Sequence, residues 1–287
     1  MDHNRPQIAF FLPIVAVIGL YGSAFSAFIA TSFYKTGSGG QLDTSSVGWH
    51  NYVRFFETSS ALEGLYDTII ISAWLTAITL FLSYPFAYLL SRVHSSMIRR
   101  FMLGVVMVTF LSGGITRAYA WMVVLGNNGL INRLLVEAGL DRVPMLYNLT
   151  GVLVALVHFL LPFCILTLMG AFQTVPRNLE EAAASLGAAR IETFWRVMVP
   201  LTLRGAVGAG ILTFCVALSS FLFPLLLGGG KVRMMSNQVY DLIFVNFDIP
   251  YAAATAVIFL IVVVGSITAL TFSLGIMTDE SRRGARV

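Results

Sequence analysis

The residue types that usually carry catalysis are present but scattered. His3, His50, His94 and His158 lie far apart, and no His, Cys, Asp or Glu cluster has metal-ligand spacing. Cys164 and Cys215 sit inside apolar runs and read as small buried hydrophobes. Gly230-Lys231 hints at a phosphate loop, but that pattern needs Gly six residues before the Lys and Ser or Thr after it, and Leu225 and Val232 stand there. No other segment supplies a nucleotide site. Two features remain. Arg117 is the one Lys or Arg inside an apolar run, where burial in lipid costs at least about 2.5–3.5 kcal/mol, so it is a functional candidate or a helix-packing residue. The second is Glu181-Ala182-Ala183, followed by Leu186-Gly187 and, further on, Pro200. A carboxylate followed by very small side chains suits close approach by another surface rather than bond-making.

The segment that positions this second group is patterned for helix. Pro176 suits a first turn, and Glu180 and Glu181 lie near the positive end of the helix dipole. Leu179, Ala182, Ala183 and Leu186 recur at helical spacing and make one narrow apolar face. Gly187 suits a left-handed C-cap. A second stretch, 190–199, puts Ile191, Phe194, Trp195 and Met198 on one side, and Pro200 opens the return to an apolar run. An amphipathic helix resting on lipid headgroups is the plain alternative. Ala182-Ala183-Ala184 is too small for good lipid insertion, which favours docking into a protein groove.

The rest of the chain is built for a membrane. Of 287 residues, 57% are apolar and 11% charged, with a mean hydropathy of +0.82. Soluble domains carry roughly 25% charged residues, and large exposed apolar patches are rare in them. A soluble enzyme and a disordered chain are both excluded. Six runs approach the ~20 residues a membrane helix needs: about 8–33, 65–91, 101–125, 149–172, 205–227 and 251–276. The first is too long for a signal-peptide core and reads as an uncleaved helix. Small residues such as Gly205, Gly208 and Gly210 let helices approach closely. With the N-terminus inside, eleven Lys and Arg fall on the cytoplasmic side: Arg5; Arg92, Arg99, Arg100; Arg177, Arg190, Arg196, Arg204; Arg282, Arg283, Arg286. Six fall outside: Lys35, Arg54, Arg133, Arg142, Lys231 and Arg233. The excess places both termini in the cytoplasm, and the net charge of +4 does not call for nucleic acid. The reading is a single all-α integral membrane domain, 1–287, of six spans, with a cytoplasmic loop at 173–204.

The outer segments carry their own signals. Residues 34–64 begin polar and Gly-rich (Gly37-Ser38-Gly39-Gly40) and turn aromatic, with Trp49, Tyr52, Phe55 and Phe56 at the membrane–water interface. A short helix is expected over 130–138, and Gly228-Gly229-Gly230-Lys231 is a flexible turn. Within the spans, Tyr119 and Trp121 offer cation–π faces, though two residues apart they share no helix face. Ser219, Ser220 and Phe221 precede Pro224, where a helix loosens and bares carbonyls unless the group simply packs.

Glu181-Ala182-Ala183, Gly187, Val197 and Val199-Pro200 together resemble the EAA loop of ABC importer permeases, which reads Glu-Ala-Ala, three residues, Gly, nine residues, Ile, one residue, Leu-Pro. Val197 and Val199 depart mildly from that pattern. Ala189 stands where the family often has a capping Ser, so a cap for the second helix must come from elsewhere. The likeness extends over nearly the whole chain: Thr116-Arg117-Ala118-Tyr119-Ala120-Trp121, Gly126-Asn127-Asn128-Gly129-Leu130-Ile131-Asn132, Leu161-Pro162-Phe163, and Phe221-Leu222-Phe223-Pro224 with Gly228-Gly229-Gly230-Lys231 resemble the spermidine/putrescine-type subfamily, and within it the first permease subunit.

That resemblance implies a type I importer fold in a bacterial inner membrane, a second permease subunit making a heterodimer, a dimer of ATP-binding subunits that holds the ATP and magnesium, and an external solute-binding protein. It implies that the chain is not itself an enzyme and binds no cofactor. Glu181, Ala182, Ala183, Leu186, Gly187 and Pro200 would form the coupling helix seated in an ATP-binding subunit. Arg117, Tyr119, Trp121, Ser219, Ser220 and Phe221 would line the solute path. A polycation makes Arg117 an unlikely direct ligand. No carboxylate lies deep in a span, with Glu63 and Asp67 near an outer edge. An opine, an amino-acid-like amine, an aminophosphonate or a ferric ion are therefore alternative cargoes to a polyamine. An ion-coupled secondary transporter would need internal repeats or buried acids, and neither is present. A membrane-embedded enzyme would need a His or carboxylate cluster, and that is absent too.

Overall fold

In lipid a backbone must satisfy its own hydrogen bonds, so the long apolar runs form helices. The computed structural model describes residues 5–37 and 42–284, with side chains over 13–37, 42–43, 45–272. Ser38-Gly39-Gly40, His3 and Arg286, and the side chains of Arg5, Arg282 and Arg283, lie outside the described residues.

α1 (Arg5–Thr31) leads into a short antiparallel pair, β1 (Tyr34–Thr36) and β2 (Leu42–Val47), with Lys35 opposite Asp43 and Thr36 opposite Leu42. α2 (His50–Glu57) and α3 (Ser59–Arg92) follow, then α4 (Ser96–Leu111), α5 (Gly114–Leu125) and α6 (Leu130–Glu137). α7 (Leu149–Gln173) precedes the patterned loop, which holds α8 (Asn178–Ser185), α9 (Arg190–Thr193) and a π-helical turn, Phe194–Met198. α10 (Val199–Leu218), α11 (Leu222–Leu227), α12 (Met235–Phe244) and α13 (Ile249–Gly284) complete the chain. The fold is all-α apart from the small hairpin. Among the described residues five helices are long and apolar enough to cross a membrane, and a bent pair makes a sixth.

That bent pair corrects the expected continuous run at 101–125. α4 stops at Leu111, and the chain resumes at Gly114 with a 99° change of direction. Ser112 and Gly113 take extended backbone, with ψ 130° and 143°. Gly costs helix stability, and Ser112 turns its hydroxyl back to Val108 O at 2.7 Å, so the run of neutral hydropathy hides a break. The run at 205–227 is also divided. Its helix starts earlier, at Val199, stops at Leu218, and restarts as α11 with Pro224 in its first turn. Ser219 Oγ donates to Cys215 O at 3.1 Å and Ser220 Oγ to Val216 O at 3.0 Å, closing the end of α10. α12 had no counterpart in the sequence reading.

The chain divides into two compact units, residues 1–65 with 235–262, and 66–234 with 263–287. In the first, Phe55, Ala61, Met235, Tyr251 and Ile258 form the core. Phe55 is fully buried, unlike Trp49 and Phe56, so the four aromatics of this segment do not share one interfacial role. Asp248 ties this unit together: it accepts from Arg54 Nη1 at 2.7 Å, from Thr36 Oγ1 at 2.5 Å and from the Tyr251 N–H at 3.2 Å, which caps α13. In the second unit one apolar cluster includes Leu75, Ala118, Val152, Leu156, Leu160 and Phe223, and another includes Leu90, Leu168, Phe172, Met198 and Ala209. The α7–α10 seam depends on small residues, because a side chain at Gly205 would collide with Ala171.

Candidate functional site

The site is the hook 175–200, all within the second unit. α8 begins after Arg177 with Glu180 and Glu181 in its first turn. Its end is a Schellman closure: Gly187 N–H donates to Ala184 O at 3.0 Å and Ala188 N–H to Ala183 O at 3.1 Å. Gly187 sits at φ +86°, the left-handed region the sequence reading assigned to it. α9 starts from Ala189, which makes no side-chain cap, and among the described residues no other side chain is seen to replace it. The expected substitute cap is therefore missing. Glu192 in the first turn faces the positive dipole end instead and pairs with Arg196 at 2.9 Å on the exposed surface.

The hook is fastened to α3 through Glu180, which the sequence placed only near the positive end of the helix dipole. Glu180, not Glu181, is the internal anchor: its Oε1 lies 2.5 Å from Arg92 Nε, and its Oε2 accepts from Tyr88 Oη at 2.8 Å. Arg92 also donates from Nη2 to Val175 O at 2.9 Å, at the root of the hook. Tyr84, one turn earlier, bonds Thr202 Oγ1 at 2.5 Å near the start of α10. The rings of Tyr84 and Tyr88 meet those of Phe172 and Phe194 edge-on at 5.1–5.9 Å. The signal for this was in α3: Tyr84, Tyr88 and Arg92 repeat at i, i+4, i+8 and so share one face.

The other side of the hook is bare. Leu179, Ala182 and Leu186 are exposed, Leu186 at 89%, and Ala183 is half-buried. The Glu181 side chain is exposed. The second stretch corrects the reading that put four apolar residues on one side. Met198 is fully buried and Phe194 half-buried, whereas Ile191 and Trp195 are 66% and 61% exposed. The π-turn rotates the face, so the four divide between the core and the surface. Pro200 is the second residue of α10, directly after the π-turn.

The candidates for the solute path occupy a second region, around α7. Arg117 is 6% exposed and is bonded to carbonyls: Ser112 O at 2.5 Å, Phe110 O at 3.5 Å and Phe159 O at 3.5 Å, with its guanidinium 5.0 Å from the Phe159 ring. It caps the broken end of α4, where the dipole is negative. Trp121 Nε1 donates to His158 Nδ1 at 3.2 Å, one residue before Phe159, while Tyr119 is exposed. Phe159 in turn meets Phe223 of α11 at 5.1 Å. Ser219 and Ser220 spend hydroxyl bonds on their own helix, and Phe221 is half-buried. No group of three or more His, Cys, Asp or Glu that could hold a metal is present among the described residues.

Apolar spanning helices, breaks within two of the spans and a hook with an uncovered face suit a membrane transport component. Residues 70–275 match the family described as "Binding-protein-dependent transport system inner membrane component", and the chain belongs to it. It is thus a multi-pass inner-membrane transport component rather than an enzyme. It is 31% identical over 231 residues to the spermidine/putrescine transport system permease protein PotB of Haemophilus influenzae, covering 80% of each chain. To PotB of Escherichia coli it is 30% identical over 215 residues, 74% of this chain and 77% of that one. A chain of a bacterial alginate ABC transporter, solved in complex with an alginate pentasaccharide-bound periplasmic protein, shares the fold with a TM-score of 0.82 at 16% identity, over 96% of both chains.

Proposed function

We propose that this chain is one of two permease subunits of an ATP-driven importer, passing a polyamine-like cation from an external binding protein to the cytoplasm. Both termini and the hook face the cytoplasm in this reading, in keeping with the bias of Lys and Arg. A dimer of separate ATP-binding subunits binds the nucleotide and magnesium. One of them receives α8 in a groove, with Glu181 as polar contact, Ala182, Ala183 and Leu186 as the packed face, and Gly187 and Pro200 fixing the angles at which the hook leaves and rejoins the span. The observation that carries this reading is the hook's division of labour: Glu180 bound inward to Arg92, and the small face of α8 left uncovered. A short helix fastened at its root moves as a rigid body, so a shift of the partner passes to α7 and α10.

The spermidine/putrescine cargo follows the names of the relatives. The engagement of Arg117 with carbonyls supports a structural post for it and removes one objection to a cationic cargo. Tyr119, Trp121, Ser219, Ser220 and Phe221 remain the proposed lining. The test is uptake of labelled spermidine by proteoliposomes holding the full set of subunits. Deleting 177–199 is expected to abolish co-purification of the ATP-binding subunit and uptake together, while the external protein still binds spermidine. Uptake without any nucleotide-hydrolysing subunit overturns the class, and purification without a second permease chain overturns the heterodimer.

A further inference from the structure

Beside the root of the hook lies a basic cavity that the importer mechanism does not use. It holds about 390 Å³ and is lined by His94, Ser96, Arg99, Arg100, Leu103 and Arg177, with no carboxylate among its lining residues. Arg177 is held at its lip by a long contact from Nη2 to Ser91 O, 3.5 Å. Arg99 makes no ion pair among the described residues, and its Nε is shut off from solvent with no hydrogen-bond partner. A buried donor left without an acceptor is unfavourable, and guanidinium groups crowded without a counter-charge repel. Both are relieved by one ligand, a tetrahedral oxyanion with several acceptor oxygens.

The collar of the cavity identifies the source of that anion. Met97, Ile98 and Phe101, on the same first turns of α4 as Arg99 and Arg100, are 81%, 54% and 73% exposed. Apolar side chains so exposed, at the end of two membrane-spanning segments, belong among acyl chains. The guanidinium groups then sit at headgroup depth, where basic pockets between helices take lipid phosphates. We propose that this cavity binds the phosphate of an anionic membrane phospholipid. The lipid would bridge the α3–α4 turn, through Arg99 and Arg100, to the entry of α8, through Arg177. Its binding does not depend on the coupling reading. Its consequence, a stiffer root for the hook, rests on that reading.

The test titrates the purified full-length chain, in a neutral detergent, with dioctanoyl phosphatidylglycerol, dioctanoyl phosphatidylcholine and inorganic phosphate, by calorimetry. Saturable binding of phosphatidylglycerol in preference to the other two is expected, weakened about fivefold by each of Arg99→Gln, Arg100→Gln and Arg177→Gln. Arg133→Gln and Arg142→Gln, at the opposite face by the charge reading, should leave it unchanged. Arg99→Lys keeps the charge without the Nε donor and should weaken binding by less than Arg99→Gln, which separates recognition from misfolding. Equal affinity for phosphatidylcholine, no saturable binding, or indifference to all three glutamine variants overturns the proposal. Inorganic phosphate binding as tightly as phosphatidylglycerol reassigns the cavity to a soluble anion and overturns the lipid. Loss of lipid binding in a chain that still captures its ATP-binding subunit leaves the function proposed above standing.

Discussion

At the scale of single residues, two neighbouring glutamates do different work, and their spacing along the chain does not distinguish them. Glu181 falls in the recognisable pattern, yet Glu180 closes the structure, because its position on α8 faces Arg92 and Tyr88. Arg92 and Glu180 are only 14% and 20% exposed, so solvent screens the pair weakly. Arg92→Met leaves a carboxylate uncompensated and Val175 O without its donor, whereas Glu180→Gln still accepts from Tyr88. The arginine variant should therefore be the less stable of the two, by about 1–3 kcal/mol against roughly 1 for Glu180→Gln. Thermal unfolding in detergent of both variants and the double variant checks the order, and a double variant no worse than Arg92→Met would show the two acting as a pair.

Gly187 gives a cleaner residue-level case. Nothing lies within 4 Å of where its Cβ would be, so a side chain there meets no obstacle and the cost is conformational alone, at φ +86°. Gly187→Ala should cost about 1 kcal/mol and Gly187→Asn less, since Asn tolerates the left-handed region. Gly187→Val, branched at Cβ, should abolish uptake. Full uptake with Gly187→Val would show that the Schellman closure of α8 is dispensable. The left-handed glycine was legible in advance because it depends only on local chain chemistry.

At the scale of elements, legibility depended on whether a feature is written in hydropathy. The spans and α6 are, and so is the hook's helix–turn–helix. The 99° break between α4 and α5 is not, since Ser112 and Gly113 scarcely change a hydropathy average. The break is held by the guanidinium of Arg117, which donates back to the carbonyls of Phe110 and Ser112 and across to Phe159 O of α7. The division of Phe194 and Met198 from Ile191 and Trp195 was likewise invisible, because a π-turn shifts the helical period within five residues. If Arg117 is a post for the break, Arg117→Met should destabilise the chain by about 1–3 kcal/mol, and Arg117→Lys, with one ammonium for three carbonyls, should recover only part of that. The measurement is thermal unfolding beside spermidine uptake. A Met variant of native stability with altered solute affinity would instead make Arg117 a ligand.

For the whole molecule the question is which surface meets another protein. Hydrophobic exposure alone does not answer it, because lipid-facing helices are apolar everywhere and Leu, Val and Phe are bare along most spans. The hook is different in kind: its bare face sets Ala182 between Leu179 and Leu186, and the small side chain in the middle permits close approach of a second backbone. Ala182 is exposed in the isolated chain, so a large residue there meets no internal obstacle. Ala182→Trp should leave the chain's own thermal unfolding within ~0.5 kcal/mol of the parent, yet prevent capture of the ATP-binding subunit and abolish uptake. An internal packing role predicts the reverse pairing, lost stability with partner capture intact. The two outcomes cannot both follow from one substitution at an uncovered position, so unfolding and capture measured on the same preparation decide whether the hook is a lever for another subunit or a folded part of this one.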